Sequence, residues 1–319
     1  MLIDPFGRKI EYLRISVTDK CNFRCIYCFT HKNWKWLPHQ EILRLEEIEE
    51  VVRVGAKLGV KRVRLTGGEP LIRKNIEVLV ERIASITGIE DLSLTTNGYF
   101  LEELGEKLKK AGLKRLNLSL DTLNPEKFRK ITGVDGFEKV IRSLDLALEL
   151  GFSPVKVNVV VIRGFNDEEV LDLAKLTIEK PIEVRFIEFM PIGGNSLWDE
   201  SHIVEVVEIK KILEAYQPLL PANSVGGGPA KVFRWKGAKG KIGLISPISE
   251  HFCHRCNRFR ITADGRLRTC LFSDFEINLK TALREKKVSL EELFIQALKV
   301  KPERHNLNST LKPMRAIGG

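Results

Sequence analysis

Cys21-Asn22-Phe23-Arg24-Cys25-Ile26-Tyr27-Cys28 sets a cysteine triplet at C-x3-C-x2-C spacing directly after an apolar run at 12–17. Thiolates this close converge on one small site only if the backbone wraps round it, and three is one ligand short of a closed tetrahedral site. One coordination position is left open. On an iron-sulfur cluster that vacancy lets an iron bind a small molecule. On zinc, His31 just beyond the triplet would complete a Cys3His set, and both readings stand on the octet alone. A disulfide framework is not expected. The 6 cysteines are sparse for 319 residues, and Met1-Leu2-Ile3-Asp4-Pro5 carries no basic region followed by an apolar stretch.

A chain of this length buries a large core, enough for one barrel-sized domain with an appendage or for two domains. With 43% hydrophobic and 29% charged residues and no apolar run of membrane-spanning length, it is expected to be soluble and cytoplasmic. The formal charge of +10 suits nucleic acid or a small polyanion such as a nucleoside triphosphate. Much of that charge falls on solvated helical faces such as Lys107-Leu108-Lys109-Lys110.

Short apolar runs alternate with longer amphipathic segments, the signature of consecutive βα units and a parallel sheet. Strands are expected at 12–17, 62–66, 92–96, 115–120, 155–162 and 183–189, and helices at 44–58, 76–85, 101–111, 136–150, 167–179 and 202–215. The cysteine octet, Gly67-Gly68-Glu69-Pro70, Thr95-Thr96-Asn97-Gly98, Ser119-Leu120-Asp121 and Glu188-Phe189-Met190 each close a strand, on the face where parallel barrels build active sites. Lys156 and Asn158 lie within the fifth strand. No G-x-G-x-x-G opens a helix, which argues against a dinucleotide fold. The expectation is α/β: an incomplete (β/α)6 TIM-like barrel, open on one side for a large substrate, with a smaller C-terminal α+β region. By itself the Gly-Gly-Glu-Pro motif reads as an ordinary strand-to-helix turn, and equally as one whose glycines let backbone approach a ligand while Glu69 accepts from an amine.

Beyond residue 215 the texture changes. The Pro- and Gly-rich stretch 218–229 looks like a linker, which divides the chain at 1–217 and 218–319. Strand-like pieces follow at 232–235 and 241–245, then a hairpin at 259–263 and 266–272 turned at Asp264-Gly265, and helical patterns at 276–284 and 290–298. Cys253, Cys256 and Cys270 make a second triplet, C-x2-C-x13-C, again one ligand short; zinc with His251 or His254 remains an alternative. Arg258 and Arg260 share one strand face, which reads either as a phosphate clamp or as strand charges facing solvent. Arg14, Arg64 and Lys156 come from barrel strands, and any of them facing the interior must find an anion.

With Tyr27 before its last cysteine and Gly-Gly-Glu-Pro one βα unit later, the octet resembles the cluster loop of radical S-adenosylmethionine enzymes. Both triplets, Thr-Thr-Asn-Gly, Arg185-Phe186-Ile187-Glu188-Phe189-Met190, Cys256-Asn257-Arg258-Phe259-Arg260 and Gly318-Gly319 extend the resemblance over nearly the whole chain, to the GTP 3′,8-cyclase family of molybdenum cofactor biosynthesis. The resemblance implies two [4Fe-4S] clusters, held by Cys21, Cys25 and Cys28 and by Cys253, Cys256 and Cys270. It implies S-adenosyl-L-methionine at Tyr27, Gly68, Ser119 and Met190, and GTP at Arg14, Arg64, Thr95, Lys156, Arg258 and Arg260, with Arg62 and Arg185 in support. The implied reaction joins ribose C3′ of GTP to guanine C8, giving 3′,8-cyclo-7,8-dihydro-GTP by cofactor-driven chemistry with no catalytic side chain. Implied partners are an external electron donor and the downstream pterin-forming enzyme, with neither nucleic acid nor membrane; a homodimer is left open. Phe29-Thr30 stands where many relatives carry Met-Pro. The competing readings are a twin-cluster enzyme that modifies a peptide and a zinc-stabilised nucleic-acid-binding protein.

Overall fold

The computed structural model describes residues 1–28, 35–193, 199–223, 225–306 and 312–318. Phe29-Thr30, His31 and Gly319 lie outside the described residues.

Runs rich in Val, Ile and Leu form strands, and the amphipathic segments between them form the helices that cover one sheet face. In chain order these are β1 (Tyr12–Ser16), α1 (Leu45–Lys57), β2 (Arg62–Thr66), α2 (Ile76–Ala84), β3 (Asp91–Thr96), α3 (Leu101–Lys110), β4 (Arg115–Ser119), α4 (Pro125–Thr132), α5 (Phe137–Glu149), β5 (Val155–Val161), α6 (Val170–Glu179), β6 (Ile182–Glu188) and α7 (Val206–Tyr216). The strands lie side by side in sequence order, all parallel. Alternation sorts their side chains: Leu13, Ile15, Val63 and Leu65 join the core under the helices, while Tyr12, Arg14, Arg64 and Thr66 line an internal cavity. One face is thus apolar, and the other carries polar and charged side chains into the cavity.

Every expected strand is present, although the one expected at 266–272 ends at Arg268. The helix α4 was not expected, although its signals are in the sequence: Asn124 Oδ1 accepts from Glu126 N at 2.9 Å, Pro125 starts the helix, and Gly133 ends it at φ +71°. The helices α6 and α7 begin later than expected because short 3-10 turns, Asp167–Glu169 and Glu200–His202, precede them.

After α7 the chain adds strands to both edges of the same sheet. The strands β7 (Leu220–Pro221), β8 (Lys231–Arg234) and β9 (Lys241–Ile245) form an antiparallel ribbon whose β9 pairs parallel with β6. The strand β10 (Arg258–Ile261) pairs parallel with β1 and turns back through β11 (Arg266–Arg268) to β12 (Ile277–Asn278). The helix expected at 276–284 is reduced to α8 (Lys280–Leu283), because Ile277 and Asn278 are extended against Leu267 and Arg266. Two further helices follow, α9 (Leu290–Lys299), with a Ser289/Glu292 capping box, and α10 (Met314–Ile317). Arg260 from β10 and Arg185 and Ile245 from β6 and β9 line the same cavity as Arg14, so the sheet curls into a partial barrel.

The stretch 218–229 is more than a spacer. Val225 O accepts from Lys156 Nζ at 2.6 Å and from Arg115 Nη1 at 3.4 Å. A side chain on Gly226 would overlap the Arg115 guanidinium, and one on Gly227 would come within 2.9 Å of Arg62 Nη1. Arg62, Arg115 and Lys156 stand at the N-terminal ends of β2, β4 and β5, so this loop floors the barrel. Among the described residues no helix is long and apolar enough to cross a membrane.

Candidate active site

Both cysteine triplets line the same internal cavity. Tyr12 pairs with Arg258 and Ile15 with Ile261, so β1 and β10 run in the same direction. Cys21, Cys25 and Cys28 follow the C-terminal end of β1, whereas Cys253 and Cys256 precede the N-terminal end of β10 and Cys270 follows β11, which runs back the same way. The triplets therefore lie at opposite ends of one strand pair, at least a strand length apart, roughly 13 Å at 3.3 Å per residue.

Backbone bonds shape the first loop: Arg24 N donates to Thr132 O at 2.7 Å and Ile26 N to Ile131 O at 2.9 Å, which hangs the loop on the end of the unexpected helix α4. The glycines of Gly67-Gly68-Glu69-Pro70 serve this loop as well. Gly68 N donates to Thr18 O at 2.7 Å and Glu69 N to Lys20 O at 2.8 Å, and a Cβ on Gly68 would overlap the Lys20 carbonyl oxygen. The close approach expected toward a ligand is made, in the first instance, to the cysteine loop's own backbone.

Glu69 is buried and accepts from Leu71 N at 2.9 Å, Thr96 Oγ1 at 2.7 Å and Asn97 N at 2.7 Å. Burial pushes its pKa up to about 7 against those donors. Its first task is thus to tie the ends of β2 and β3 together, leaving limited acceptor capacity for an amine. In Glu69→Gln the amide NH2 would face one of these donors, so the ligand-free protein is expected to lose about 1–3 kcal/mol. Equilibrium denaturation checks this, and a stability equal to the parent's would remove Glu69 from that role. Tyr27 Oη donates to Asp121 Oδ2 at 2.5 Å, and Asp121 Oδ1 accepts from Val160 N at 2.8 Å. Burial raises Asp121 to about 6 despite both bonds.

Between the triplets lies a band of cations. Arg14 on β1 pairs in register with Arg64 on β2 and with Arg260 on β10, so the three side chains project from one level of the sheet. Arg64, Arg185 and Arg260 are buried, and Arg14, Arg64, Arg185, Arg258 and Arg260 all line the cavity. Burial and then Arg260 and Arg64 hold the Arg14 pKa well below its ordinary value. Burial and Arg258 bring Arg260 down to about 9. Cations crowded until they resist their own charge form a site for a polyanion. Lys156 sits apart: it is not among the cavity-lining residues, its ammonium meets Val225 O and lies 3.5 Å from Glu183 Oε2, and burial followed by Arg185 lowers it to about 7. Thr95 lines the cavity, as do Tyr27, Gly68, Ser119 and Met190. Gly318 reaches the mouth of the barrel, where Arg260 Nη1 donates to its carbonyl oxygen at 2.6 Å.

The second triplet starts in a short turn in which Cys256 N donates to Cys253 O at 3.0 Å. Burial alone would raise the Cys256 thiol, but Arg258 and Lys301 more than offset it and bring the pKa to about 6. In the first triplet burial prevails and pushes Cys21 up to about 12, so a metal arriving there must displace protons. Among the described residues no three His, Cys, Asp or Glu side chains gather as a single-ion site would require, and His251 and His254 are exposed. A cluster places different demands on the sulfurs, because each meets its own iron at a separate corner. Several contributors lay outside what the sequence indicated. Arg8 Nη1 donates to Cys253 O at 2.8 Å and to Glu303 O at 2.9 Å, and Arg315 lines the cavity beside Cys28. No spacing or motif distinguishes either from surface arginines.

A thiolate triplet on the loop after the first strand of a parallel partial barrel, braced by a Gly-Gly-Glu-Pro turn, defines a radical S-adenosylmethionine protein. The Radical SAM superfamily model matches residues 15–177, and the Molybdenum Cofactor Synthesis C model matches residues 182–307. Relatives named GTP 3′,8-cyclase from Pelotomaculum thermopropionicum and Desulforamulus reducens are 51% and 48% identical to it, over 99% and 100% of this chain and equal shares of their own. The chain belongs to the GTP 3′,8-cyclase family. A crystal structure of Streptococcus suis SuiB bound to precursor peptide SuiA matches with TM-score 0.65 at 16% identity, covering 90% of this chain and 65% of that one, a likeness of fold alone.

Proposed function

We propose that this chain converts GTP to 3′,8-cyclo-7,8-dihydro-GTP, the first step of molybdenum cofactor biosynthesis. The observation that carries the proposal is the band of arginines, three of them buried, between two cysteine triplets in one cavity. When bound, a [4Fe-4S] cluster at each triplet and S-adenosyl-L-methionine supply the one-electron chemistry. In this reading Cys21, Cys25 and Cys28 hold the first cluster and Cys253, Cys256 and Cys270 the second. Tyr27, Gly68, Ser119 and Met190 surround S-adenosylmethionine. Arg14, Arg64, Thr95, Arg258 and Arg260 hold GTP, chiefly by its triphosphate, and Lys156 adds charge from beneath through the floor loop. Fixing the phosphates on strand-borne arginines holds the ribose in one place, which is what a near-attack geometry asks of the protein. The apolar strand faces and their helices keep bulk water from the far side. An external reductant, a downstream pterin-forming enzyme and a cytoplasmic setting belong to the same proposal.

The cations point into the barrel, where a duplex has no access, which speaks against nucleic acid as the partner. A peptide-modifying enzyme would have little use for this much interior positive charge. The test is oxygen-free reconstitution with counting of iron and sulfide, then incubation with GTP, S-adenosylmethionine and dithionite. The expected result is iron at both triplets and a cyclised GTP product; zinc alone, or intact GTP beside cleaved S-adenosylmethionine, would overturn the reading.

A further inference from the structure

Lys301 follows α9 and is only 3% exposed. An ammonium offers three N–H donors, and all are used: Nζ lies 2.7 Å from Thr269 O, 3.3 Å from Arg258 O and 3.5 Å from Cys256 Sγ. Two of these acceptors are neutral carbonyls. Among the described residues no carboxylate pairs with Lys301, and of the charged groups that act on it Arg8 repels while the Cys256 and Cys270 sulfurs attract. A buried ammonium needs an anion, and among the described residues those that attract it are the second triplet's sulfurs, Cys256 and Cys270.

The segment around Lys301 is held firmly. Arg8 Nη2 donates to Pro302 O at 2.7 Å while its Nη1 holds Glu303 O and Cys253 O. The His305 ring packs on Phe272 with centroids 4.5 Å apart, and His305 Nε2 lies 3.1 Å from Pro247 O. Lys301-Pro302-Glu303-Arg304-His305 is thus a staple across the back of the second triplet, and Lys301 is its charged tooth. Lys301 does not line the cavity. Arg258, by contrast, faces both Cys256 and the substrate space.

We propose that Lys301 is a positioning residue for the second cluster, its ammonium on Cys256 Sγ favouring the cluster's reduced form. The inference rests on the functional reading above. A cluster held by three thiolates is an anion that gains a further negative charge on reduction, so a fixed cation at its sulfur stabilises the reduced form more. Hydrogen bonds to the sulfurs are among the features that set such potentials.

The test uses Lys301→Met and Lys301→Arg, reconstituted without oxygen and titrated electrochemically with spin resonance read separately for each cluster. Lys301→Met is expected to retain iron at both triplets and to raise the oxidised-to-reduced ratio of the second cluster at least tenfold at fixed potential. For a one-electron couple that is a midpoint shift of about 59 mV to the negative side. Lys301→Arg keeps the parent value, and the first cluster is unmoved in both. If Lys301→Met does not hold iron, Lys301→Gln, which keeps an N–H donor and drops the charge, carries the same criterion. A full iron load with an unmoved second midpoint, or equal shifts in both clusters, overturns this inference alone. Zinc at the second triplet of the parent protein overturns the functional reading together with it.

Discussion

Methionine in place of Arg14 is expected to weaken GTP binding at least about a hundredfold and, in the same protein without ligand, to raise the melting temperature. The two signs come from one cause. Arg14 shares a level of the sheet with Arg64 and Arg260, and burial together with those neighbours holds its pKa well below the ordinary value. A base whose folded pKa is depressed costs the folded state wherever it is charged, and that cost fades only as pH rises through the lowered pKa. Methionine fills a similar volume without charge, so it removes both the burial penalty on the guanidinium and its repulsion by Arg260 and Arg64. Losing one member of a desolvated charge contact costs roughly 2–5 kcal/mol of binding, which is where the hundredfold figure lies. Anaerobic calorimetry with GTP and thermal denaturation of the free protein read the two effects. An unchanged affinity would remove the cation band from substrate binding. A lowered melting temperature would mean that Arg14 has a structural role that the crowding argument misses.

That crowding shows where sequence reasoning stops. The strand order and the place of the first triplet follow from local patterns, because apolar runs and turn residues act over a few neighbours. The barrel strands accordingly appear where they were expected. The helix α4 was legible too, in Asn124-Pro125 and Gly133, but it lies in what looks like the long connection before α5. The register of Arg260 beside Arg14 was not legible, since β10 joins β1 from the far end of the chain and no periodicity fixes that pairing. Two arginines on one strand face look like a solvated surface until the neighbouring strand is known. The floor loop is a similar case: Gly226-Gly227-Gly228 has the composition of a spacer, and only its contact with Arg62 and Arg115 shows why side chains are absent there. Lys301 was hidden for a related reason, because a lone lysine after a helix is ordinarily exposed and its burial is set by Cys256 and Thr269.

Alanine at Gly68 is expected to abolish assembly of the first cluster while sparing the second. The added methyl group would overlap the carbonyl oxygen of Lys20, the residue immediately before Cys21, and backbone cannot swing aside as the end of a flexible side chain can. Relief requires moving either Lys20, and Cys21 with it, or the Gly68–Glu69 backbone. The second movement would break Gly68 N to Thr18 O and Glu69 N to Lys20 O, and would pull Glu69 from Thr96 and Asn97. Asn97 Nδ2 in turn bonds Asn22 Oδ1 at 2.9 Å, inside the cysteine loop, so both escapes disturb the same sulfurs. The second triplet lies at the opposite end of the strand pair and shares none of these bonds. Reconstituted Gly68→Ala should therefore carry half the parent's iron and should neither cleave S-adenosylmethionine nor turn over GTP. Calorimetric binding of GTP, which depends on the arginines and the second triplet, should survive. A full iron load with parental cleavage would show that the loop tolerates the methyl group, and the close packing of Gly68 on Lys20 would then have no part in holding the first triplet in shape.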